Sequence, residues 1–318
     1  MKLSDLCLVF FVVEIIVFTV LDIRFEQLEA MAEITNAYNT ALDNAVDDGC
    51  FYLVEVDSSR NLYTNKEAAV EQFFSSLYAN LGVMGQSFQE EKLSRYIPVI
   101  LVTDRDGFYI YYTAAILSGG EKRLDKRWSE KLHYVYEDDR YVIKFTLGNE
   151  IILFEKESME IWEGEYRDIR ELTECSFLEE EEVFETIRRK TIIQSISKNM
   201  NLYINYYNSI ASDFGITYEF WLPEIDRTDW DRTIDDVSLF VLFQGYPYDA
   251  AALDTYNRYV FGGARIAKSK VYYINVKLEK KFYHSENCEE VLIDKGIPYY
   301  TKEECAKEGA FPCNKCIP

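Results

Sequence analysis

The sequence predicts an α+β protein: an N-terminal transmembrane or stalk helix, an antiparallel sheet with a long amphipathic helix, and a small C-terminal zinc module. Three observations carry this prediction. They are an apolar run near the N terminus, alternating strand-type and helix-type periodicity in the middle, and two pairs of metal-ligand residues at the end. The predicted domains are a membrane anchor and stalk (1–49), an acidic, tyrosine-rich α+β body (50–265) and a zinc-binding module (266–318).

The composition favours a folded, sheet-rich and acidic protein. Of the 318 residues 48% are hydrophobic, and 25 tyrosines and 20 phenylalanines stand against only 6 prolines. The formal net charge is −21, but from Arg265 onward ten basic residues face eight acidic ones. An acidic body repels a phosphate backbone, so we expect nucleic-acid binding to be weak at most and confined to the C-terminal module.

Residues 6–21 are almost purely apolar. Sixteen helical residues span about 24 Å, and Leu3 and Ile23 extend the run towards the roughly 30 Å hydrocarbon core of a bilayer. A cleavable signal peptide is the alternative, but only Lys2 precedes the run and no small-x-small site follows promptly. We therefore predict an uncleaved, single-pass anchor in the cell membrane.

The charges that flank the apolar run predict its orientation. Asp22, Glu26, Glu29 and Glu33 follow the run, whereas Lys2 and the terminal amine precede it. Because positive flanks stay in the cytoplasm, the sequence favours an extracytoplasmic body.

Glu14 is the one charged residue inside the apolar run. A charged side chain at mid-membrane costs about 2.5–3.5 kcal/mol, so such a residue often marks a partner. An apolar helix with one glutamate that continues as an amphipathic helix resembles the N terminus of type IV pilins and tight-adherence minor pilins. The resemblance implies that Glu14 makes a subunit contact in the membrane. No glycine precedes a prepilin-type cleavage point near Val9 or Phe10, and a protonated glutamate tolerated by any helix is the alternative.

Helices and strands follow from the periodicity. The first helix is predicted to continue to Asp48, with Gly49 as its stop, and a second helix begins after the N-cap Asn65. A long amphipathic helix is predicted over 179–213. The predicted strands cover 96–102, 108–113, 132–136, 141–147, 150–154, 216–222, 237–243 and 270–276, with an acidic loop between the sixth and the seventh.

The C-terminal segment carries two short pairs of metal-ligand residues. Three residues separate His284 from Cys288, and two separate Cys313 from Cys316. One nitrogen and three sulfurs with this spacing are typical of a zinc site, and four protein ligands leave no position for a reactive water. The sequence thus predicts a structural Zn²⁺; disulfides among Cys288, Cys305, Cys313 and Cys316 are the alternative.

The residues around these ligands carry a resemblance. Residues 300–305 read YTKEEC, 309–312 read GAFP and 313–318 read CNKCIP. This order resembles the metal-binding module of the adaptive-response DNA methyltransferase Ada and the tails of micrococcal-nuclease-like and competence-type bacterial proteins. His284 stands where Ada has its methyl-accepting cysteine, so methyl transfer is not implied. Cys305 replaces a usual alanine; we interpret it as a small buried residue, with replacement of His284 as a ligand as the alternative.

Other candidate sites are weaker. The chain has no G-x-x-x-x-G-K-[ST] loop and no G-x-S-x-G elbow, and His133 is predicted to be an ordinary strand residue. An aspartate cluster lacks the glycine and the distal glutamate of an EF-hand loop, so we predict a solvated loop rather than a Ca²⁺ site. Its members are Asp226, Asp229, Asp231, Asp235 and Asp236.

These features together predict a non-enzymatic, membrane-anchored structural or assembly component of a cell-envelope apparatus, of minor-pilin, secretion or conjugation type. Its expected partners are the membrane and other subunits of the apparatus, with homo-oligomerisation as an option. The main alternative is a membrane-tethered DNA-handling protein that uses the Ada-like zinc module. A hydrolase with a catalytic metal in the acidic loop is a third possibility.

Overall fold

The computed structural model describes residues 3–56, 62–247, 255–264, 272–277, 280–285, 288, 297–299 and 302–316, with the backbone alone for 3–9, 118, 232 and 303. Its helices are α1 (Leu3–Phe51), α2 (Lys66–Asn80), α3 (Ser87–Ser94), α4 (Tyr166–Leu172), α5 (Glu181–Ala211), α6 (Arg227–Ile234) and α7 (Lys302–Lys307). Its strands are β1 (Val54–Val56), β2 (Leu62–Thr64), β3 (Val99–Asp104), β4 (Gly107–Ser118), β5 (Glu121–Trp128), β6 (Tyr134–Glu137), β7 (Tyr141–Phe145), β8 (Glu150–Glu155), β9 (Ile161–Glu165), β10 (Ser238–Pro247), β11 (Thr255–Gly263), β12 (Tyr272–Lys277), β13 (Lys280–Ser285), β14 (Pro298–Tyr299) and β15 (Phe311–Pro312). The mixed α+β class with antiparallel sheets and a long helix is confirmed.

Helix α1 is continuous over 49 residues, which corresponds to a length of about 73 Å. Its apolar residues are exposed along the first half, from Phe10 at 73% to Leu28 at 63%. Among the residues whose side chains are described, which begin at Phe10, no helix has the length and apolarity to cross a membrane. Residues 6–9 of the predicted span lie outside that set.

The last part of α1 belongs to the core of the body. Residues Ala41, Leu42, Ala45, Val46 and Cys50 are buried against α2, β10 and β11. Helix α1 is therefore a protrusion only up to about residue 40, and its C-terminal turns are part of the α+β body.

The predicted helix stop at Gly49 is wrong, because α1 continues to Phe51. A Cβ at Gly49 would lie 2.9 Å from the carbonyl oxygen of Ala69 on α2 and 2.9 Å from Leu239 Cδ2 on β10. The glycine is therefore needed for the close approach of α1 to its neighbours, a contact that local sequence does not reveal.

A five-stranded antiparallel sheet in the order β11-β10-β3-β4-β5 forms the centre of the body. One face packs on α1 and α2, and the other packs on α5. A second antiparallel sheet, β6-β7-β8-β9, shares the core on the α5 side. Strand β3 is buried on both faces, which explains its continuous apolar sequence.

Several predicted elements agree with the structure. The side chain of Asn65 accepts a hydrogen bond from the backbone N–H of Ala68 and caps α2 as expected. Helix α5 begins and ends two residues inside the predicted range of 179–213, and Ile196, Met200 and Tyr207 of its predicted stripe are buried.

Several predictions fail in the body. Residues 216–222 form no strand, and the expected acidic loop contains α6. The sequence also did not predict the helices α3 and α4 or the strands β1, β2, β5, β9 and β11. Strand β5 has the sequence EKRLDKRW, which shows no apolar alternation because it is an edge strand with exposed charges. Edge position is a tertiary property, so periodicity alone misses such a strand.

The C-terminal segment forms its own sheet in the order β14-β12-β13-β15, with α7 beside it. Its described apolar core contains four buried residues, Tyr272, Tyr283, Cys305 and Ala310.

We predict that Gly262→Ala destabilises the body through α1. A Cβ at Gly262 would lie 2.5 Å from Cys50 Sγ and 2.6 Å from Val46 Cγ1, so the helix and β11 would have to separate. Overpacking of this kind costs about 1–3 kcal/mol, measurable by urea denaturation. Gly148→Ala is the matched control, since its Cβ would meet only Thr146 Oγ1 at 3.8 Å. Equal stabilities of the two variants would contradict this packing.

Lys126 on β5 provides a pH-dependent prediction. Its Nζ donates to the carbonyl oxygen of Ile97 at 2.9 Å and lies 5.4 Å from the Phe74 ring centroid. The stem is partly exposed, but the ammonium group forms no ion pair with any described residue, and burial lowers the pKa of Lys126 to about 7.

Between pH 7 and the ordinary lysine pKa of 10.5, the unfolded chain binds a proton that the folded chain has lost. The free energy of unfolding should therefore rise with pH over this interval. Lys126→Met should flatten the rise between pH 7 and 9, whereas Lys122→Met, an exposed lysine on the same strand, should preserve it. An unchanged slope in Lys126→Met would refute the assignment.

Candidate metal centre

The four predicted ligands lie at the ends of two neighbouring strands. His284 is the penultimate residue of β13, Cys288 follows that strand, and Cys313 comes directly after β15. Strands β13 and β15 pair in parallel, and the N–H of Cys313 donates to the carbonyl oxygen of Tyr283 at 3.0 Å. The parallel pairing brings the two ligand pairs to the same end of the small sheet.

The donor atoms form one compact group. One ligand atom from each of His284, Cys288, Cys313 and Cys316 lies within 4.8 Å of all the others, and His284 Nδ1 is 3.4 Å from Cys288 Sγ. Ligands of a tetrahedral zinc ion stand about 3.3–3.8 Å apart, given Zn–S near 2.3 Å and Zn–N near 2.0 Å. The donor set therefore fits a four-coordinate metal ion after small adjustments.

The group is enclosed by the protein. His284 is 1% exposed, and Cys288 and Cys313 are also buried, whereas Cys316 is half-buried. Four protein ligands in a buried group fill a tetrahedral coordination sphere and leave no position for a substrate. Such a closed set of four donors is the arrangement that structural metal sites use.

Two thiols of the module differ in their protonation. The pKa of Cys316 is lowered, although burial by itself would raise it. The lowering comes from hydrogen bonds to its sulfur: the backbone N–H of Ser285 donates to Cys316 Sγ at 3.4 Å, and the Cys288 and Cys313 thiols also contribute. Burial and the charge of Glu304 raise the pKa of Cys305 to about 11. The thiolate is the form that binds a metal, so these shifts favour Cys316 as a ligand and Cys305 as a packed thiol.

Cys305 is fully buried in the apolar core beside Tyr272 and Tyr283, outside the ligand group. Its interpretation as a small buried residue agrees with the structure, and the alternative in which it replaces His284 does not. No disulfide joins the cysteines whose side chains are described. The backbone donor at Ser285 was not foreseen, because any residue type can supply a backbone N–H.

The aspartate cluster does not form a second metal group among the described residues. Asp226 caps α6 by accepting from the backbone N–H of Thr228, and Asp231 and Asp235 both form ion pairs with Arg189 on α5. Burial raises the pKa of Asp236 to about 6. These carboxylates serve the folding of α6 and its attachment to α5.

Two other residues singled out in the sequence lie apart from the metal centre. Glu14 is exposed on the protruding part of α1 and forms no ion pair with the described side chains. His133 is exposed beside β6, where its Nδ1 lies 2.9 Å from the carbonyl oxygen of Asp106.

Comparisons with known proteins provide no relative for this chain. No protein family matches it. No curated protein matches it. No solved structure matches it.

We predict that Cys313→Ser removes the metal and that Cys305→Ala does not. The first substitution deletes one of the four donors, whereas the second changes a buried cysteine of the same module that lies outside the donor group. Metal content of the purified full chain by mass spectrometry is the measurement, and the thiolate-to-metal absorption of a cobalt-substituted sample should indicate three thiolates. If the Cys313→Ser variant retains the metal and the Cys305→Ala variant loses it, the proposed set of ligands is wrong.

Proposed function

We propose that the protein is a membrane-anchored, non-enzymatic structural or assembly component of a cell-envelope apparatus, and that structural zinc stabilises its C-terminal module. The observation that carries the proposal is the division of α1 into an exposed apolar part and a part buried in the body.

Over residues 10–21 the exposed part of α1 is apolar on every side, apart from Glu14. Phe10, Phe11, Val12 and Val13 are consecutive, so they point in four directions around the helix, and each is at least 48% exposed. A helix that is hydrophobic on every side is normally covered by lipid or by other protein. No described residue of the body covers this part, so lipid and neighbouring helices are its proposed surroundings.

The buried part of α1 gives the helix a rigid attachment. Residues 41–50 pack into the same core as the central sheet, so a force applied to the protruding part reaches the body without a flexible joint. Rigid coupling of this kind suits a subunit that is assembled through its membrane helix. Glu14 is the proposed contact to a neighbouring subunit, since a carboxyl group in an apolar environment is stabilised by a polar partner.

Zinc is the proposed metal because one imidazole and three thiolates are its typical structural donors. The described apolar core of the module contains only four buried residues, so metal binding would supply much of its folding free energy. The DNA-handling alternative is weaker, since the chain carries a net charge of −21 and a phosphate backbone would be repelled.

The topology is tested by protease treatment of intact cells that carry an epitope after Pro318. We expect external protease to remove the epitope, because the acidic flank after the apolar run favours an extracytoplasmic body. An epitope that becomes sensitive only after lysis would place the tail in the cytosol and overturn the envelope proposal.

The anchor is tested by deleting residues 1–28. We expect the shortened chain to leave the membrane fraction with its thermal unfolding midpoint unchanged, since the buried part of α1 begins at Ala41. Deletion of residues 1–50 is the matched control, and it should abolish folding because it removes Ala41–Cys50 from the core. A full-length chain that fractionates with the soluble proteins would contradict the anchor.

A further inference from the structure

The two edge strands of the central sheet differ in how strongly their side chains discourage pairing with a further strand. Strand β5 forms one edge, and six of its eight residues are charged, which discourages pairing with another strand. Strand β11 forms the other edge and has a single charged residue, Arg258. In the described part of the chain only β10 pairs with β11, so the outer side of β11 is an open edge.

The register identifies which backbone groups face this edge. The N–H of Ala264 donates to the carbonyl oxygen of Val237, and the β10–β11 register continues without interruption from Ser238↔Gly263 to Gln244↔Asn257. In an antiparallel ladder, alternate residues direct their N–H and C=O to the partner strand and the others direct them away. The residues that direct their backbone groups outward are therefore Asn257, Tyr259, Phe261 and Gly263.

A groove runs along the open edge. Asp43 on α1 forms one wall and Asp229 and Thr233 on α6 form the other, with the edge of β11 as the floor. This part has a volume of about 280 Å³, and a second cavity of about 420 Å³ beside Trp221 and Pro223 shares Asp229, Arg258 and Tyr259 with it. Seven residues, 257–263, line the groove over a length of about 23 Å.

The side chains of the groove offer few free hydrogen-bonding groups. Arg258 forms an ion pair with Asp43 at 3.0 Å, and the amide of Asn257 bonds to Tyr218, Gly245 and Thr255. A small polar ligand would therefore find its side-chain partners occupied. The free groups are those of the backbone, which an extended peptide satisfies.

One carboxylate in the groove is not neutralised. Asp229 is half-buried, accepts a hydrogen bond of 3.4 Å from the Tyr259 hydroxyl and forms no ion pair with the described residues. A basic side chain on the incoming strand would pair with it. A second copy of the chain is disfavoured as the occupant, because two bodies from chains of net charge −21 repel each other.

We propose that the edge of β11 binds an extended, basic segment of a partner protein as an additional strand, with a lysine or arginine beside Asp229. The partner's backbone pairs with the outward groups of β11, and the walls formed by α1 and α6 hold the segment in place. This mode of recognition obtains affinity from main-chain hydrogen bonds and specificity from alternate side chains.

The test uses the full chain in detergent micelles and a set of seven-residue peptides of alternating threonine and valine, with lysine at each position in turn. Hydrogen exchange of β11 amides is the readout. Binding should slow exchange at Tyr259, Phe261 and Gly263 by about tenfold or more, while Val260 and Gly262 stay as protected as before. The same peptides with glutamate in place of lysine, and with alternate backbone nitrogens methylated, should bind at least about tenfold more weakly.

Two variants test whether Asp229 is the residue that pairs with the lysine of the peptide. Asp229→Lys should weaken the binding of the lysine peptides about tenfold or more. Asp229→Asn preserves the shape of the side chain but removes its charge, so it should abolish the preference for lysine peptides over glutamate peptides. Glu171→Lys is the control with the same change in net charge, at an exposed position on α4.

The proposal is overturned if no peptide binds at about 1 mM. It is equally overturned if binding leaves the outward amides unprotected or if the lysine and glutamate sets bind alike. If the same amides become protected when the concentration of the chain is raised without peptide, the edge of β11 binds a second copy of the chain instead, and the proposal is also overturned.

Discussion

The structure depends on the close approach of α1 to β11. Gly262 permits it, because it faces Val46 and Cys50, and Gly49 permits the approach of the same helix to α2 and β10. Polar contacts at the same interface fix the helix along its length, because Tyr256 donates to Asn39 and Arg258 pairs with Asp43. Without this interface the central sheet would lose one of its two covering layers, and the exposed half of α1 would lose its rigid base.

The same interface explains why β11 can remain an open edge. Helix α1 covers one face of the strand and α6 approaches the other, so most of its side chains are at least half-buried, while no described strand pairs with its outward backbone groups. An edge that is shielded on both faces resists uncontrolled aggregation and still leaves room for one narrow segment. The groove and the rigid base of the exposed part of α1 thus depend on the same interface.

The C-terminal module follows a different constraint. The described part of its apolar core has four buried residues, and the parallel pairing of β13 with β15 brings the four donors together beside it. The pairing places His284 and Cys313 at one end of the sheet, and the backbone N–H of Ser285 supports the thiolate of Cys316. Local ligand spacing and tertiary pairing are both needed for this site.

The sequence by itself determined the α+β class, the long N-terminal helix, the cap at Asn65 and the four residues of the candidate metal centre, because caps, periodicity and short chelating pairs involve residues that are near each other in the chain. Only the tertiary structure decided that the end of α1 is core, that Gly49 is a contact and not a stop, and that the acidic segment is a helix paired with Arg189. Those features arise from contacts between residues that are far apart in the chain, such as Gly262 with Val46. Local sequence carries no signal for such contacts, since the energy of a buried position depends on which distant surface covers it.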